Sequence, residues 1–533
     1  MNNSIVTEIK FKNEPVLEYK EGSPERIELE AQLAQMKNSY VDIPIIIDGK
    51  EIRTGNTEKC IVPHDHKKVL GEYHIAGKEE IKMAIESTLR AKSAWEELHW
   101  QHRVAIFLKA AELASGPWRA KLNAATMLCQ SKTYKQAEID SACELVDFLR
   151  YNAYALTQIY SEQPISTKIF KNRMEYRPLE GFVFAISPFN FTSIACNLVG
   201  APAIAGNTVI WKPSSDAVYS SYLVYKLFEA AGLPKGVINF VPCRSIDAED
   251  IILTNENLSG LHFTGSTEVF QRMWKIVGNN ITNYRTFPRL VGETGGKNYV
   301  MAHPSANIES LTTAIIEGAF EYQGQKCSAV SRVYIPRSLW PDVKERLLQL
   351  AEKIRGKMGD IEKRSTFMGA VINADAFDRI VSYIEFARNS SEAEIIFGGN
   401  YDDSVGYFIE PTIILTQNPK FKTMEEEIFG PVLTIYIYED EDFEETLNLC
   451  ANTSKYGLTG SIFAKDRYAL VKAEKALMHT AGNFYINDKP TGAIVGQQPF
   501  GGARLSGTND KAGSKLNLLR WMSPRIIKEN LIN

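Results

Sequence analysis

The sequence predicts an α/β protein built on parallel sheets with helices packed on both faces. Three observations carry this. First, five short runs rich in β-branched and aromatic residues follow one another: "GFVFAI" (181–186), "NTVIWK" (207–212), "GVINFV" (236–241), "GLHFT" (260–264) and "FPRLV" (287–291). Segments able to form helices separate them, and such alternation produces parallel strands joined by helical crossovers. Second, the pattern restarts after residue 293, where "KNYVMA" and "SRVYIP" read as strands and 307–320 and 338–354 as helices. Third, 533 residues are too many for one ordinary hydrophobic core, so at least two large domains are expected.

The elements have local causes. The helix over 216–231, "DAVYSSYLVYKLFEAA", can be capped by Ser215 or Asp216 and is ended by Gly232 and Pro234. The first 165 residues read as mostly helical, including "AEIDSACELVDFLR" at 137–150. No G-x-G-x-x-G fingerprint is present, so a dinucleotide must be held in another way. Ligands of parallel sheets bind at the carboxyl ends of the strands, which is where candidate residues are sought.

Composition narrows the function. Lys+Arg is 60 against Asp+Glu 64, a formal charge of -4, which argues against nucleic acid or an anionic membrane surface as partner. No apolar run approaches the roughly 18 residues that cross a bilayer. The N-terminus mixes Glu with Lys, unlike a secretion signal or an Arg-rich transit peptide. The expected location is cytoplasmic, or the mitochondrial matrix if a presequence has been removed. The seven cysteines are widely spaced without C-x-x-C, which fits a reducing compartment and no metal site. His64 and His66 in "PHDHKK" read as a solvated turn.

Five stretches could do chemistry. In "GQKCSA", Cys327 sits among polar and small residues, unlike a core cysteine. Only eight histidines are present, and His262, which adjoins "FTGSTEVF", reads as buried in a strand; this weakens a Cys-His hydrolase without removing it, since a partner need only be close in space. In "RLVGETGGKN", Glu293 follows a strand among glycines that leave room for a general base or for a simple turn. Asn190 in "ISPFNFTS" stands at a strand end, as an oxyanion donor or a helix cap. Lys212 and Ser214 in "IWKPSS" stand at another strand end and suit a nucleotide or plain exposure. In "FTGSTEVF", Gly265 and Ser266 open a helix whose N-terminus can face a pyrophosphate or be merely capped.

Together these stretches resemble the aldehyde dehydrogenase superfamily over nearly the whole chain. The motifs are "SPFNF", "WKPS", "FTGST", "GETGGKN", "GQKCSA", "EEIFGPV" and "PFGGARLSGTND". The stretches "NEPVLEYKEGSPER" and "FYINDKPTGAIVGQQPFGGARLSGTNDKAG" point to the branch that oxidises L-glutamate γ-semialdehyde to L-glutamate in proline catabolism. The resemblance implies an NAD-binding Rossmann-type domain, an α/β catalytic domain and a β-flap for oligomerisation. The expected layout is 1–165 for the N-terminal part of the cofactor domain, 166–183 for an oligomerisation hairpin and 184–293 for the cofactor core. The catalytic domain follows at 294–498, and an anchor loop with an oligomerisation strand at 499–533.

The resemblance also implies roles. Cys327 attacks the aldehyde, and Asn190 with the Cys327 N–H holds the oxyanion. The thiohemiacetal yields hydride, and Glu293 activates water against the resulting thioester. NAD is implied to contact Ser187, Pro188, Phe189, Lys212, Ser214, Gly265, Ser266, Glu427 and Phe429. NADP is disfavoured because no arginine stands ready for a 2′-phosphate. The substrate is implied to meet Glu144 at the pocket rim, the rings of Phe191 and Phe500, and an anion nest of Ser328, Gly492 and Ala493.

Two departures stand out: Phe270 where many relatives carry glycine, expected to alter the pyrophosphate seat, and Pro490 where a small hydroxyl residue is common. Cys196 is expected to pack against the sheet. The partners implied are the small-molecule substrate, at least a second copy of the chain, and a transient contact with proline dehydrogenase, in a chain read as monofunctional. Dehydrogenases of other carboxylated semialdehydes, coenzyme A-acylating dehydrogenases and a binding protein without catalysis are the competing readings. Glu293 opposes the acylating one, because a base for water serves hydrolysis.

Overall fold

A computed structural model describes residues 9–532. The first eight residues of the N-terminal stretch lie outside them. Two seven-stranded sheets organise the molecule. The first contains β1 (Ile45–Ile47), β2 (Lys50–Ile52), β4 (Phe182–Ile186), β5 (Val209–Lys212), β6 (Ile238–Phe240), β7 (Leu258–Thr264) and β8 (Arg289–Glu293). Its spatial order is β8-β7-β4-β5-β6-β1-β2. The five strands β4 to β8 pair parallel, and the β1–β2 hairpin adds antiparallel on β6. From β4 the chain builds β5 and β6 on one side, then returns to place β7 and β8 on the other. The crevice between β4 and β7 is therefore the topological switch point where ligands of such sheets bind.

Both faces of this sheet are covered, so its strands are continuously apolar. Val183, Ala185 and Trp211 pack toward one helical layer, and Phe182, Phe184 and Ile210 toward the other. The crossover helix α5 (Val218–Ala231) follows a 3-10 turn at Ser215–Ala217 and ends at Gly232, whose φ of 94° gives the left-handed cap the sequence foreshadowed.

The second sheet contains β9 (Asn298–Ala302), β10 (Val330–Pro336), β11 (Ala393–Phe397), β12 (Thr412–Thr416), β13 (Val432–Tyr438), β14 (Thr459–Phe463) and β15 (Asn483–Ile486), in the order β11-β12-β13-β10-β9-β14-β15. Helix α7 (Ile308–Phe320) joins β9 toward β10, and α8 (Trp340–Arg355) follows β10. Only Thr294–Lys297 separates β8 from β9, so the two sheets are joined by a four-residue crossing.

The structure corrects several expectations. The N-terminal region is mostly helical as expected, but it also holds strands: besides β1 and β2, those at Val41–Ile43, Thr57–Val62 and Asp65–His74 form a small sheet of their own. Residues 166–183 do not make a hairpin. A single strand, β3 (Phe170–Pro178), pairs antiparallel with β16 (Met522–Asn530), and residues 182–183 already belong to β4. The helix predicted over 137–150 is broken by a π-helical turn at Glu138–Cys143 before α3 (Glu144–Ser161) begins. "PHDHKK" is a docked turn rather than a solvated one, with His66 Nε2 2.7 Å from the Asp403 carbonyl and His64 Nδ1 3.2 Å from Ser131 Oγ. No helix among the described residues is long and apolar enough to cross a membrane.

Candidate active site

Strand register brings the candidates into one row. Ile186 pairs with Lys212 and with Phe263, and Thr264 pairs with Glu293, so the carboxyl ends of β5, β4, β7 and β8 lie side by side. Asn190 leaves β4 just beyond this edge. Against it stand the amino ends of β9 and β10, where Asn298 pairs with Val330. Cys327 immediately precedes β10, so the nucleophile candidate and the strand-end residues meet where the two sheets face each other.

The loop bearing Cys327 is strained and pinned. Tyr322, Gln323 and Gly324 all adopt left-handed backbone, at φ of 54°, 55° and 65°. For the two non-glycine residues this costs about 1–2 kcal/mol each. At Gly324 a Cβ would fall 2.3 Å from the Gly430 carbonyl oxygen, so glycine is required there. Side-chain bonds hold the shape: Gln323 Nε2 donates to the Ala370 carbonyl at 2.7 Å and its Oε1 accepts from Gly369 N at 3.1 Å. Gln325 Oε1 accepts from Ile372 N at 2.9 Å. Asn190 Nδ2 donates to the Gln325 carbonyl at 3.1 Å, tying the end of β4 to this loop. Asn298 Nδ2 donates to the carbonyls of Cys327 at 2.7 Å and Ala329 at 2.8 Å.

Cys327 is half-buried, and its thiol is pushed well up, first by burial and then by the carboxyls of Glu293 and Glu427. Burial likewise raises the Glu293 carboxyl to about 8, with Lys511 opposing and Asp510 adding to the shift. Glu293 Oε2 is buried without a hydrogen-bond partner. Glu427 is raised to about 7 by burial, and its Oε1 accepts from Gly296 N at 2.8 Å. Phe429, also left-handed at φ 54°, sets its ring edge-on to Phe189 at 5.9 Å.

The cofactor-side candidates spread along the same edge. A cavity of about 250 Å³ is lined by Glu58, Lys212, Pro213, Ser215, Val218 and Arg244, so an arginine does stand beside Lys212, contrary to the sequence reading, with Glu58 in the same wall. Ser215 rather than Ser214 contributes to that wall. Ser187 is buried, and its hydroxyl accepts from Trp211 Nε1 at 3.0 Å, so it braces the sheet. Pro188 and Phe189 follow it in the turn beyond β4. Ser266 caps α6 (Thr267–Asn279) by accepting from Val269 N at 3.3 Å, and Gly265 N donates to the Glu293 carbonyl at 3.1 Å. Phe270 does not reach the helix N-terminus. Its ring stacks on Phe263 at 5.4 Å and fills the space that Gly292 leaves, since a Cβ there would be 2.3 Å from the ring. The row thus holds the Lys212 cavity, the α6 N-terminus capped by Ser266 and the buried carboxyl of Glu427.

Next to Cys327, Ser328 is buried with its Oγ 3.0 Å from Thr491 Oγ1. Thr491 begins the loop holding Gly492, at φ 87°, and Ala493. Among the described residues neither the Gly492 nor the Ala493 N–H is bonded to a backbone carbonyl. Phe500 pairs in both directions with Ala512 by backbone bonds. Glu144 opens α3, is half-buried and accepts from Ser193 Oγ at 2.6 Å, and burial raises its carboxyl to about 8. Phe191 carries the Lys132 ammonium over its ring at 4.2 Å, and the same ammonium lies 4.2 Å from the Tyr322 ring centre and is bonded to Asp140.

Sequence reasoning missed Asn298, Thr491 and the Lys132–Asp140 pair. Asn298 lies inside the quoted "GETGGKN" and Thr491 beside Gly492, so proximity to a motif was the available signal. Lys132 carried none. Among the described residues no cluster of His, Cys, Asp and Glu could hold a metal, and all seven cysteines are free. Cys196 is fully buried in the core of the cofactor domain.

Comparison with known proteins agrees with this geometry. The aldehyde dehydrogenase family model matches residues 52–527. The mitochondrial Δ1-pyrroline-5-carboxylate dehydrogenase of Dictyostelium discoideum is 53% identical over 523 residues, covering 98% of this chain and 93% of that protein. Its Homo sapiens counterpart is 49% identical over 522 residues, with 98% and 92% covered. The crystal structure of the Mycobacterium tuberculosis enzyme bound with NAD superposes with a TM-score of 0.96 at 48% identity, covering 100% of this chain and 98% of that one. The chain belongs to the aldehyde dehydrogenase family.

Proposed function

We propose that the protein is an NAD-dependent dehydrogenase that oxidises L-glutamate γ-semialdehyde, formed from Δ1-pyrroline-5-carboxylate, to L-glutamate. The support for this is that Cys327–Ser328 adjoins two groups of residues, Asn190 and Glu293 on one side and the Thr491 loop on the other. Cys327, Asn190 and Glu293 stand where the sheets meet, and the Ser328–Thr491 pair with the unengaged amides of Gly492 and Ala493 stands beyond them. Relatives named for this activity, about half identical along nearly the whole chain, support the same substrate.

In this reading Lys212 with its cavity, the Gly265–Ser266 end of α6 and Glu427 hold NAD, which when bound accepts the hydride released by oxidation. Cys327 Sγ, its proton released to solvent, attacks the aldehyde carbon, and the carbonyl π pair moves onto oxygen as the oxyanion. The Asn190 side-chain amide and the Cys327 N–H stabilise the oxyanion; a donor of this kind is worth about 10²–10³ in rate. Once the carbonyl is restored as a thioester, Glu293 takes a proton from water, and the hydroxyl adds to the thioester carbon. Cys327 then leaves as thiolate and L-glutamate is released. A base of pKa about 8 is matched to that task near neutral pH. Ser328 and the two loop amides bind the distal carboxylate, Glu144 faces the ammonium end, and Phe191 and Phe500 flank the chain between.

The β3–β16 ribbon exposes Ile526, and Ile532 just beyond it is exposed too, 55% and 68% accessible. A second copy of the chain covering it is the reading we favour, giving at least a dimer. The free cysteines suit the cytoplasm or the mitochondrial matrix, both reducing.

The test is NADH formation with glutamate γ-semialdehyde, succinate semialdehyde and propanal, in wild type and Cys327→Ala. Strong preference for the first, lost in the variant, is expected. Equal use of the three aldehydes overturns the substrate, and a requirement for coenzyme A overturns hydrolysis.

A further inference from the structure

The segment ahead of α1 (Pro24–Lys37) is bound across the face of the molecule that carries the substrate end of the cleft. Phe11 sets its ring edge-on to Tyr151 at 5.1 Å. Asn13 Nδ2 donates to the Val495 carbonyl at 3.0 Å and to Asp147 Oδ2 at 2.8 Å, while Gln497 Nε2 donates to Asn13 Oδ1 at 3.1 Å. Glu14 N donates to Asp147 Oδ1 at 2.7 Å, and its carboxylate accepts from Arg119 at 2.7 Å and Arg150 at 2.6 Å. Farther on, Leu17 N and the Tyr19 hydroxyl donate to the two oxygens of Glu138, each at 2.8 Å.

These anchors converge on the two elements that frame the substrate. Asp147 lies one turn after Glu144 on α3, and Glu138 heads the π-turn that precedes it. Val495 and Gln497 belong to the loop carrying Gly492 and Ala493, two residues before Val495. That loop also closes onto Phe11: a Cβ at Gly496 would stand 2.9 Å from the Phe11 ring and 3.0 Å from Tyr151. One end of the loop is held from inside the cleft by Thr491 on Ser328 and by the Tyr485 hydroxyl on the Gly492 carbonyl at 3.0 Å. Its other end is held by the N-terminal segment.

We propose that the N-terminal segment, through Asn13, is a specificity-determining strap: it positions the 491–496 loop so that the two amides point at a distal carboxylate, and acts on KM for carboxylated aldehydes alone. This rests on the assignment of those amides and Ser328 to the substrate carboxylate. Asn13 touches neither substrate nor cofactor in this scheme and is a positioning residue.

The test compares wild type, Asn13→Ala and Gln497→Ala in steady-state kinetics with glutamate γ-semialdehyde and with propanal, plus inhibition by L-glutamate. Gln497→Ala removes one of the two loop bonds of Asn13, with an expected effect of the same sign, and leaves the Val495 bond and the ion pairs of Glu14 intact, which covers the case in which Asn13→Ala releases the whole segment. Loss of the Val495 bond is expected to raise KM for the semialdehyde and the inhibition constant of glutamate about fivefold, the worth of one hydrogen bond. Values of kcat, KM for NAD and all propanal constants should not move. Lys37→Ala, which breaks an ion pair to Glu362 on the same N-terminal region, should leave every constant unchanged. Equal effects on propanal, or no effect of either variant on a wild type that prefers the semialdehyde, overturn the strap. A wild type without that preference overturns the carboxylate assignment itself, and the strap with it.

Discussion

Glu293 holds its proton where most glutamates have lost theirs, because one of its oxygens is buried without a partner. Its folded value of about 8 lies above the ordinary 4.5, so the folded chain binds a proton that the unfolded chain releases between those values. Stability therefore falls as pH rises through that window. Glu293→Gln does not titrate, and its melting temperature should gain on wild type between about pH 5 and pH 8, as calorimetry would measure. In the same variant, thioester hydrolysis should fall by about 10²-fold or more, and the limb of kcat that rises toward pH 8 should vanish. A limb that persists in Glu293→Gln would assign the base elsewhere. Lys132 is the second residue whose chemistry its surroundings dictate. Burial brings its ammonium down to about 8 despite Asp140. Lys132→Met leaves Asp140 buried and unpaired, for which a destabilisation of about 3 kcal/mol is expected by denaturant titration.

At the scale of elements, the crossing from β8 to β9 does the positioning. A Cβ at Gly296 would meet the Cys327 carbonyl oxygen at 2.2 Å, and one at Gly295 would meet Glu427 Oε2 at 2.3 Å. Gly296→Ala must therefore displace the Cys327 backbone. A displacement of about 1 Å can cost 10²-fold, so kcat should drop by about that factor while the NAD affinity measured by titration changes little. Near-normal turnover would contradict the tight crossing. The π-turn at 138–143 works in the same way. It inserts an extra residue into the helix, letting Glu138 face Arg119 and Asp140 face Lys132 while Glu144 turns to Ser193. The sequence "AEIDSACELVDFLR" reads as continuous helix because nothing local opposes one. The widening answers to cations at 119 and 132, which only the fold brings near. The β1–β2 hairpin escaped notice for a related reason, since three-residue strands are too short for periodicity to register.

At the scale of the whole molecule, β3 and β16 pair over nine residues although more than 340 positions separate them. Ending the chain after Trp521 would strip β3 of its partner and leave an unpaired edge. Light scattering is expected to find at least a dimer for the full chain and its loss in the truncated one; an unchanged assembly would remove the ribbon from the interface.

The sequence by itself determined the α/β class, the succession of strands in both halves and the identity of the chemical groups. Strand composition, helix caps and clustered glycines are local properties that survive without knowledge of the fold. Cys327, Glu293 and Asn190 could be nominated because each sits in a short motif beside a strand, whereas Glu427 was nominated through the family resemblance alone. What only the tertiary structure decided is which groups face one another. The register that sets Ile186, Lys212, Thr264 and Glu293 in a row is one such choice. The bond from Asn298 to the Cys327 carbonyl, the turn of Phe270 into the core, and the reach of Asn13 to Val495 are others. The physical reason is common to all of them. A buried hydrogen bond or ion pair is selected by geometry between residues tens to hundreds of positions apart, and composition along the chain carries no record of that distance.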